Sequence, residues 1–380
     1  MNVTSGQGGM RWARAERSET IHDLRFTDLE HTAGNATSAI GFLNVRKPND
    51  PKWILSSSPH VFQGDTTARI MWQVVAALTP AAVWGVYAFG WRAAWVIGWC
   101  VAGAAAAESG ALRLRGRPNA LADGSAVLTG LLLGMNLPAT SPWWMALLGG
   151  GVATGLGKQV FGGLGQNPFN PALVARVFLL ISFPVSMTNW AVPGGALADA
   201  VTAATPLGAA KTAVATHGAL GDALAGIPWW KLFVGLQPGS LGEVSELLLL
   251  VGAAYLLWKR IIPWDIPAAF LGTLVLVTGA AWLGAPTKVV PPWFHLVTGG
   301  AVLGACYMAT DMVTSPLTAR GRWAFGVGCG LLTAVIRLWG GYPEGVSFAI
   351  LLMNATVPLI DRFTKPRKFG WVPEAKGAAS

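Results

Sequence analysis

At 380 residues, 53% of them hydrophobic and 12% charged, the chain carries about half the charge of a soluble domain, which excludes an ordinary soluble fold. Its formal charge of +9 would suit a nucleic-acid binder, but the lysines and arginines gather in short stretches between apolar runs, the pattern of a polytopic membrane protein with no nucleic-acid partner. The three cysteines, Cys100, Cys306 and Cys329, sit singly in apolar segments and read as small buried residues, too few for an iron–sulfur cluster on this chain alone.

In chain order, residues 1–55 are polar and of mixed charge, and read as a cytoplasmic, disordered arm with no cleavable leader. Ten apolar segments follow. The first five, at about 70–90, 93–112, 121–137, 142–158 and 170–185, form a membrane unit over 56–185. A hydrophilic loop of 186–240 comes next. The second five, at about 241–258, 264–284, 293–310, 322–338 and 344–361, form a unit over 241–362, with a cytoplasmic tail at 363–380. The third segment, "DGSAVLTGLLLGMNLP", has too few apolar residues for a full span and predicts a half-helix or broken helix covered by protein. An N-terminus inside places Arg113, Arg115, Arg117, Lys158, Arg176, Lys259, Arg260, Arg320, Arg322, Arg362, Lys365, Arg367 and Lys368 on the inner side. Only Arg92, Lys211, Lys231, Lys288 and Arg337 fall outside. That asymmetry sets the orientation of a multi-pass protein of a bacterial inner membrane with both termini cytoplasmic and the 186–240 loop facing outward.

The two halves resemble each other. "GSAVLTGLLLGMNLPATSPWW" at 124–144 matches "GGAVLGACYMATDMVTSP" at 299–316, and "NPALVARVFLLISFP" at 170–184 parallels "EGVSFAILLMNATVP" at 344–358, at offsets of about 174 to 176 residues. An odd number of spans per half makes the repeats inverted. The expected fold is therefore all-α, with about ten transmembrane segments in two inverted five-helix repeats containing broken helices, and a binding site near the midplane.

No soluble-enzyme device is present. There is no Walker A sequence, "FGGLG" at 161–165 lacks a βαβ setting, and the five histidines are scattered, so no metal site or complete catalytic site is expected on this chain. The outward loop, however, contains "DAVTAAT", Asp199 to Thr205, with only small or β-branched residues between acid and final threonine. Two readings stand. The segment is a capped turn, with Asp199 or Thr202 as N-cap. Alternatively, it is open enough for another enzyme to reach the Thr205 hydroxyl and esterify it with a nucleotide-like phosphate, Asp199 helping to hold an assisting metal ion.

The pattern D-x-x-[ST]-x-A-T resembles the flavinylation signature of the Rnf and Na⁺-translocating quinone reductase membrane subunits, and is nearest to the D-type subunits of Rnf complexes. The resemblance extends over "SPH" at 58–60, "DGSAVLTGLLLGMNLP" at 123–138, "GGLGQNPFNPAL" at 162–173, "YMATDMVTSP" at 307–316 and "YPEGVSFAILLMN" at 342–354. It departs at Ala203, where relatives often have glycine. It implies FMN attached through its phosphate to Thr205, with Asp199 and Thr202 in the attachment motif, and a non-covalent riboflavin in the membrane part. It also implies partners of the A, B, C, E and G types and a flavin transferase for maturation. The activity implied is one-electron relay between partner subunits in ion-coupled NADH/ferredoxin electron transfer.

Polar residues within apolar runs cost about 2.5–3.5 kcal/mol at a helix centre if charged, so each needs a partner or a wet cavity. Asn167 and Asn170 in "GQNPFNPA" either satisfy backbone groups freed by the prolines or, with Phe169 stacking, hold the second flavin. Asp123, Asp311 and Glu344 are candidate ion or flavin contacts, Asp311 and Glu344 alternatively pairing with Arg337; Glu108 reads equally as an interfacial residue. Two alternatives to the electron carrier remain: a quinone-reductase B-type subunit, and a cofactor-free channel or transporter on the same repeat.

Overall fold

The apolar segments form helices, some opened by a capping side chain and others without one. In the computed structural model, residues 66–118, 120–194, 202–218, 220, 229–243, 245–342 and 344–365 are described. The expected arm at 1–55, the "SPH" block, Asp199 and the end of the tail lie outside them. Helix α1 spans Thr67–Phe89 and opens on Thr66, whose hydroxyl accepts the Arg69 N–H at 3.2 Å. Gly90, at φ 77°, turns the chain into α2, Trp91–Leu114. A 3₁₀ turn at Leu121–Asp123 leads into the short α3, Ser125–Met135, and α4 covers Trp143–Thr154 and runs on into a π-turn at Gly155–Gln159. Asn170 caps α5, Pro171–Ser182, accepting N–H groups of Ala172 and Leu173, with Pro171 in the first turn, where it sacrifices no hydrogen bond.

Between the halves, α6 (Pro184–Met187) precedes a two-residue ribbon in which β1 (Trp190–Ala191) pairs antiparallel with β2 (Thr202–Ala203). Then come α7 (Pro206–His217) and α8 (Trp229–Val234). The second half holds α9 (Glu246–Trp258), α10 (Asp265–Gly284), α11 (Pro292–Leu296), α12 (Ala301–Leu303, continuing as a π-turn to Met308), α13 (Ala319–Trp339) and α14 (Val346–Phe363). Among the described residues, four helices, α1, α2, α10 and α14, are long and apolar enough to cross a membrane, and α3, α5 and α9 are shorter apolar helices. The third expected segment is indeed short. The eighth is broken at Gly299 and Gly300, both at positive φ (71° and 62°), a conformation open to glycine at little cost.

Equivalent helices of the two halves run in opposite senses. One central cavity is lined by the N-terminal ends of α1 (Ile70, Met71) and α3 (Ser125, Leu128), and by the C-terminal ends of α9 (Leu256) and the α12 π-turn (Cys306, Tyr307). Both halves also repeat one packing device: the fourth helix crosses the second through glycines. A Cβ on Gly150 of α4 would lie 2.2 Å from the Cys100 carbonyl oxygen of α2, and one on Gly330 of α13 would lie 2.4 Å from that of Phe270 of α10. With no solvent to expel between apolar helices in lipid, such close backbone approach supplies the packing energy. Large apolar side chains such as Leu114, Val185, Leu276 and Leu283 remain exposed, as lipid-facing residues do.

Candidate functional site

Two separate pockets lie in this bundle. The first is built on α7. Thr205 is its N-cap: the hydroxyl accepts the Gly208 N–H at 3.1 Å, Pro206 opens the helix, and 5% of the residue is exposed. The pocket around it, about 260 Å³, is walled by Leu180, Met187, Trp190 and Tyr342 and carries Arg176, Lys211 and Glu344. That is near the low end of ligand pockets, roughly 300–1,000 Å³. Lys211 pins α7 to the second half: its ammonium donates to the carbonyls of Ile336 (3.2 Å), Gly340 (2.7 Å) and Tyr342 (2.8 Å). Burial, and secondarily the charge of Arg337, holds its pKa below the ordinary lysine value.

The second pocket is the central cavity, about 100 Å³, where Asn167, Asn170 and Asp311 meet Thr129, Lys158 and apolar side chains of both halves. Asn170 donates to the Met308 carbonyl at 3.1 Å. Asn354, its amide oriented to suit its neighbours, accepts the Asn170 N–H at 3.1 Å and donates to the Thr314 carbonyl at 3.2 Å. Asn167 donates to the Phe169 carbonyl at 3.0 Å. The asparagines thus hold backbone together and line the cavity at once.

The expected site residues therefore divide. Thr205 and Glu344 share one pocket; Asn167, Asn170 and Asp311 share the other. Phe169 does not line the cavity. Asp123 accepts the Ser125 N–H and hydroxyl at 2.8 and 2.6 Å, a local cap at the start of α3. Thr202 sits in β2, and Asp199 lies outside the described residues. Among the described residues Arg337 makes no direct ion pair with Asp311 or Glu344. Asp311 takes the Val313 N–H and the Thr314 hydroxyl, and Glu344 is bonded to Arg176. Arg337 instead donates to the carbonyls of His295, Thr298 and Gly299, at the helix break.

Several residues escaped the sequence reading. Lys158 and Arg176, assigned there to inner loops, are both buried: Lys158 pairs with Glu108 at 2.7 Å, and Arg176 sits within α5 facing the Thr205 pocket. Glu243 and Glu246 are buried beside Arg337 and Arg176, with His295 near Arg337. Glu243 Oε1, both Glu246 carboxylate oxygens and both His295 ring nitrogens have no hydrogen-bond partner among the described residues. An arginine inside the run "NPALVARVFLLISFP" was a visible signal; a charge there has to be answered from another helix.

A family model described as the NQR2, RnfD, RnfE family matches residues 54–370. The chain is 46% identical over 323 residues to the D-type subunit of the proton-translocating ferredoxin:NAD(+) oxidoreductase complex of Clostridium ljungdahlii, covering 83% of this chain and 96% of the relative. It is 45% identical over 325 residues to the D-type subunit of the Na(+)-translocating ferredoxin:NAD(+) oxidoreductase complex of Acetobacterium woodii, covering 85% and 96%. To the D-type subunit of the ion-translocating oxidoreductase complex of Stutzerimonas stutzeri it is 46% identical over 324 residues, covering 80% and 92%.

Proposed function

Starting from a chain that belongs to the NQR2, RnfD, RnfE family, we propose that it is the flavin-bearing membrane subunit of an Rnf-type complex, carrying FMN in phosphoester linkage on Thr205 and relaying electrons between partner subunits in ion-coupled transfer between NADH and ferredoxin. The observation that carries this reading is the position of Thr205. Its hydroxyl stands at the N-terminus of a 12-residue helix, in a pocket with two cationic side chains and aromatic walls. The positive end of a helix dipole suits a phosphate. Trp190 and Tyr342 offer apolar surface for a ring system, and Lys211 holds the helix against the bundle. When bound, the flavin supplies one- or two-electron chemistry; the chain supplies placement and charge.

The residues around the central cavity have the chemistry for riboflavin, with amide donors and acceptors amid apolar walls. At about 100 Å³, however, the cavity must widen to admit an isoalloxazine, so no step is routed through it. The B, C, A, E and G type subunits and a flavin transferase are proposed as partners, and the outward orientation of Thr205 in a bacterial inner membrane is proposed from the excess of basic residues at the opposite end. The names of the relatives favour the Rnf reading over the quinone reductase one.

Co-expression with a flavin transferase, followed by denaturing electrophoresis under ultraviolet light, tests the proposal. The wild-type band is expected to fluoresce and Thr205→Val to be dark at equal protein. A dark wild-type band overturns the flavoprotein reading and leaves the cofactor-free channel.

A further inference from the structure

One of the two cations lining the Thr205 pocket takes no part in holding α7. Arg176 is 7% exposed, halfway along an apolar helix, where lipid and protein alike penalise a charge. Its guanidinium is divided between two partners. Nη1 donates to Asn136 Oδ1 at 2.7 Å, and Nη2 donates to Glu344 Oε2 across the boundary between the halves. Asn136 in turn donates to the Leu132 carbonyl at 2.6 Å and touches Met308 Sδ at 3.8 Å, so the fork is held rigidly from below. The other carboxylate oxygen of Glu344, Oε1, is buried with no hydrogen-bond partner among the described residues. Arg176 and Glu344 both line the Thr205 pocket.

Structural economy does not account for this pair. A neutral side chain could cap Asn136, and apolar residues of similar volume usually pack as well as a buried ion pair or better. The charges nearby are also unbalanced. Glu243 interacts with Glu344, Glu246 and Arg176, and Arg337 with all three glutamates, while Lys211 stands over the pocket from α7. Arg176 is thus the cation, and Glu344 the anion, at the boundary between the pocket and a buried charged cluster.

We propose that the Arg176–Glu344 pair sets the reduction potential of the group carried on Thr205, Arg176 favouring its reduced state and Glu344 opposing it. The inference rests on the flavin reading above. Its physics is elementary. Each electron added to the pocket raises its negative charge; in a water-poor site a nearby cation lowers the free energy of that state and a nearby anion raises it. The two members of the pair therefore act in opposite directions on one measurable quantity, which a merely structural contact does not do.

The test is a potentiometric titration of the full-length, flavin-loaded chain, reduced by dithionite through mediators, with Arg176→Gln, Glu344→Gln, Arg176→Lys and the double variant Arg176→Gln/Glu344→Gln. Ultraviolet in-gel fluorescence on each sample first shows that the flavin is attached, which separates failure of this inference from failure of the flavin reading. Arg176→Gln is expected to lower the ratio of reduced to oxidised flavin at fixed potential about tenfold, equivalent to about 59 mV for a one-electron couple. Glu344→Gln is expected to raise it by a similar factor. The double variant returns toward wild type, because the net charge is restored although both contacts are gone, and Arg176→Lys stays close to wild type. If Arg176→Gln does not fold, Glu344→Gln and Arg176→Lys carry the test. Shifts of the same sign in the two Gln variants, no upward shift in a fluorescent Glu344→Gln, or a double variant displaced as far as the worse single one overturns the proposal.

Discussion

A lysine with 1% of its surface exposed and a glutamate with 2% meet at 2.7 Å at the end of α4, with the Ser125 hydroxyl as a second acceptor at 2.6 Å. Neither charge would be tolerated there alone. Lys158→Met is expected to destabilise the fold by about 3–5 kcal/mol by leaving Glu108 buried and unpaired, and Glu108→Gln/Lys158→Met to recover most of it; thermal unfolding in detergent reads both. Lys211 gives a pH dependence. Its folded-state pKa lies below the ordinary 10.5, so the unfolded chain holds the proton more tightly, and docking of α7 strengthens as pH rises toward that value. Limited proteolysis near α7 across that range checks the slope, and Lys211→Met is expected to abolish it along with the three carbonyl contacts. At this scale Thr205 could be singled out from sequence because its neighbours in the chain form the motif that the proposal rests on. Arg176 was not, because its partners Asn136 and Glu344 are 40 and 168 residues away.

Helix α4 packs into α2 at separations that only glycine permits. A Cβ on Gly150 or on Gly103 would fall 2.2 Å from a backbone carbonyl oxygen, on Cys100 and Leu147 respectively, and backbone has no rotamer to retreat to. Gly150→Ala is expected to cost about 1–3 kcal/mol by forcing the helices apart. Gly151→Ala on the same helix, with nothing within 4 Å of its new methyl group, serves as the control and is expected to be neutral or slightly stabilising. Melting midpoints of the two variants in one detergent decide the matter. The polytopic all-α character was readable from hydropathy, and the short third helix from its composition. The kink at Gly299–Gly300 was not. A glycine pair in an apolar run suits a tight crossing as well as a break, and Arg337, which ties down the carbonyls around this break, arrives from another helix.

The whole bundle has a basic end, with Arg115, Lys259, Arg260 and Arg322, and an opposite end that carries Thr205 and α7. The three native cysteines are buried, at 0 to 4% exposure, so single reporters can be introduced without removing them. With the proposed orientation, Thr216→Cys, exposed on α7, is expected to react with a membrane-impermeant maleimide in intact cells, and Arg117→Cys, exposed at the basic end, only after permeabilisation. The reverse pattern would place Thr205 on the cytoplasmic side. Sequence by itself determined the membrane class, the all-α character and the internal likeness of the halves, and it singled out Thr205 as the residue to test, because hydropathy, repeat and motif are local properties of a chain. Only the tertiary structure decided which charges neutralise which, that Arg176 belongs to a pocket and not a loop, and that the candidate residues divide between two pockets. Those outcomes depend on which helices become neighbours, and burial makes an unanswered charge too costly for any other arrangement.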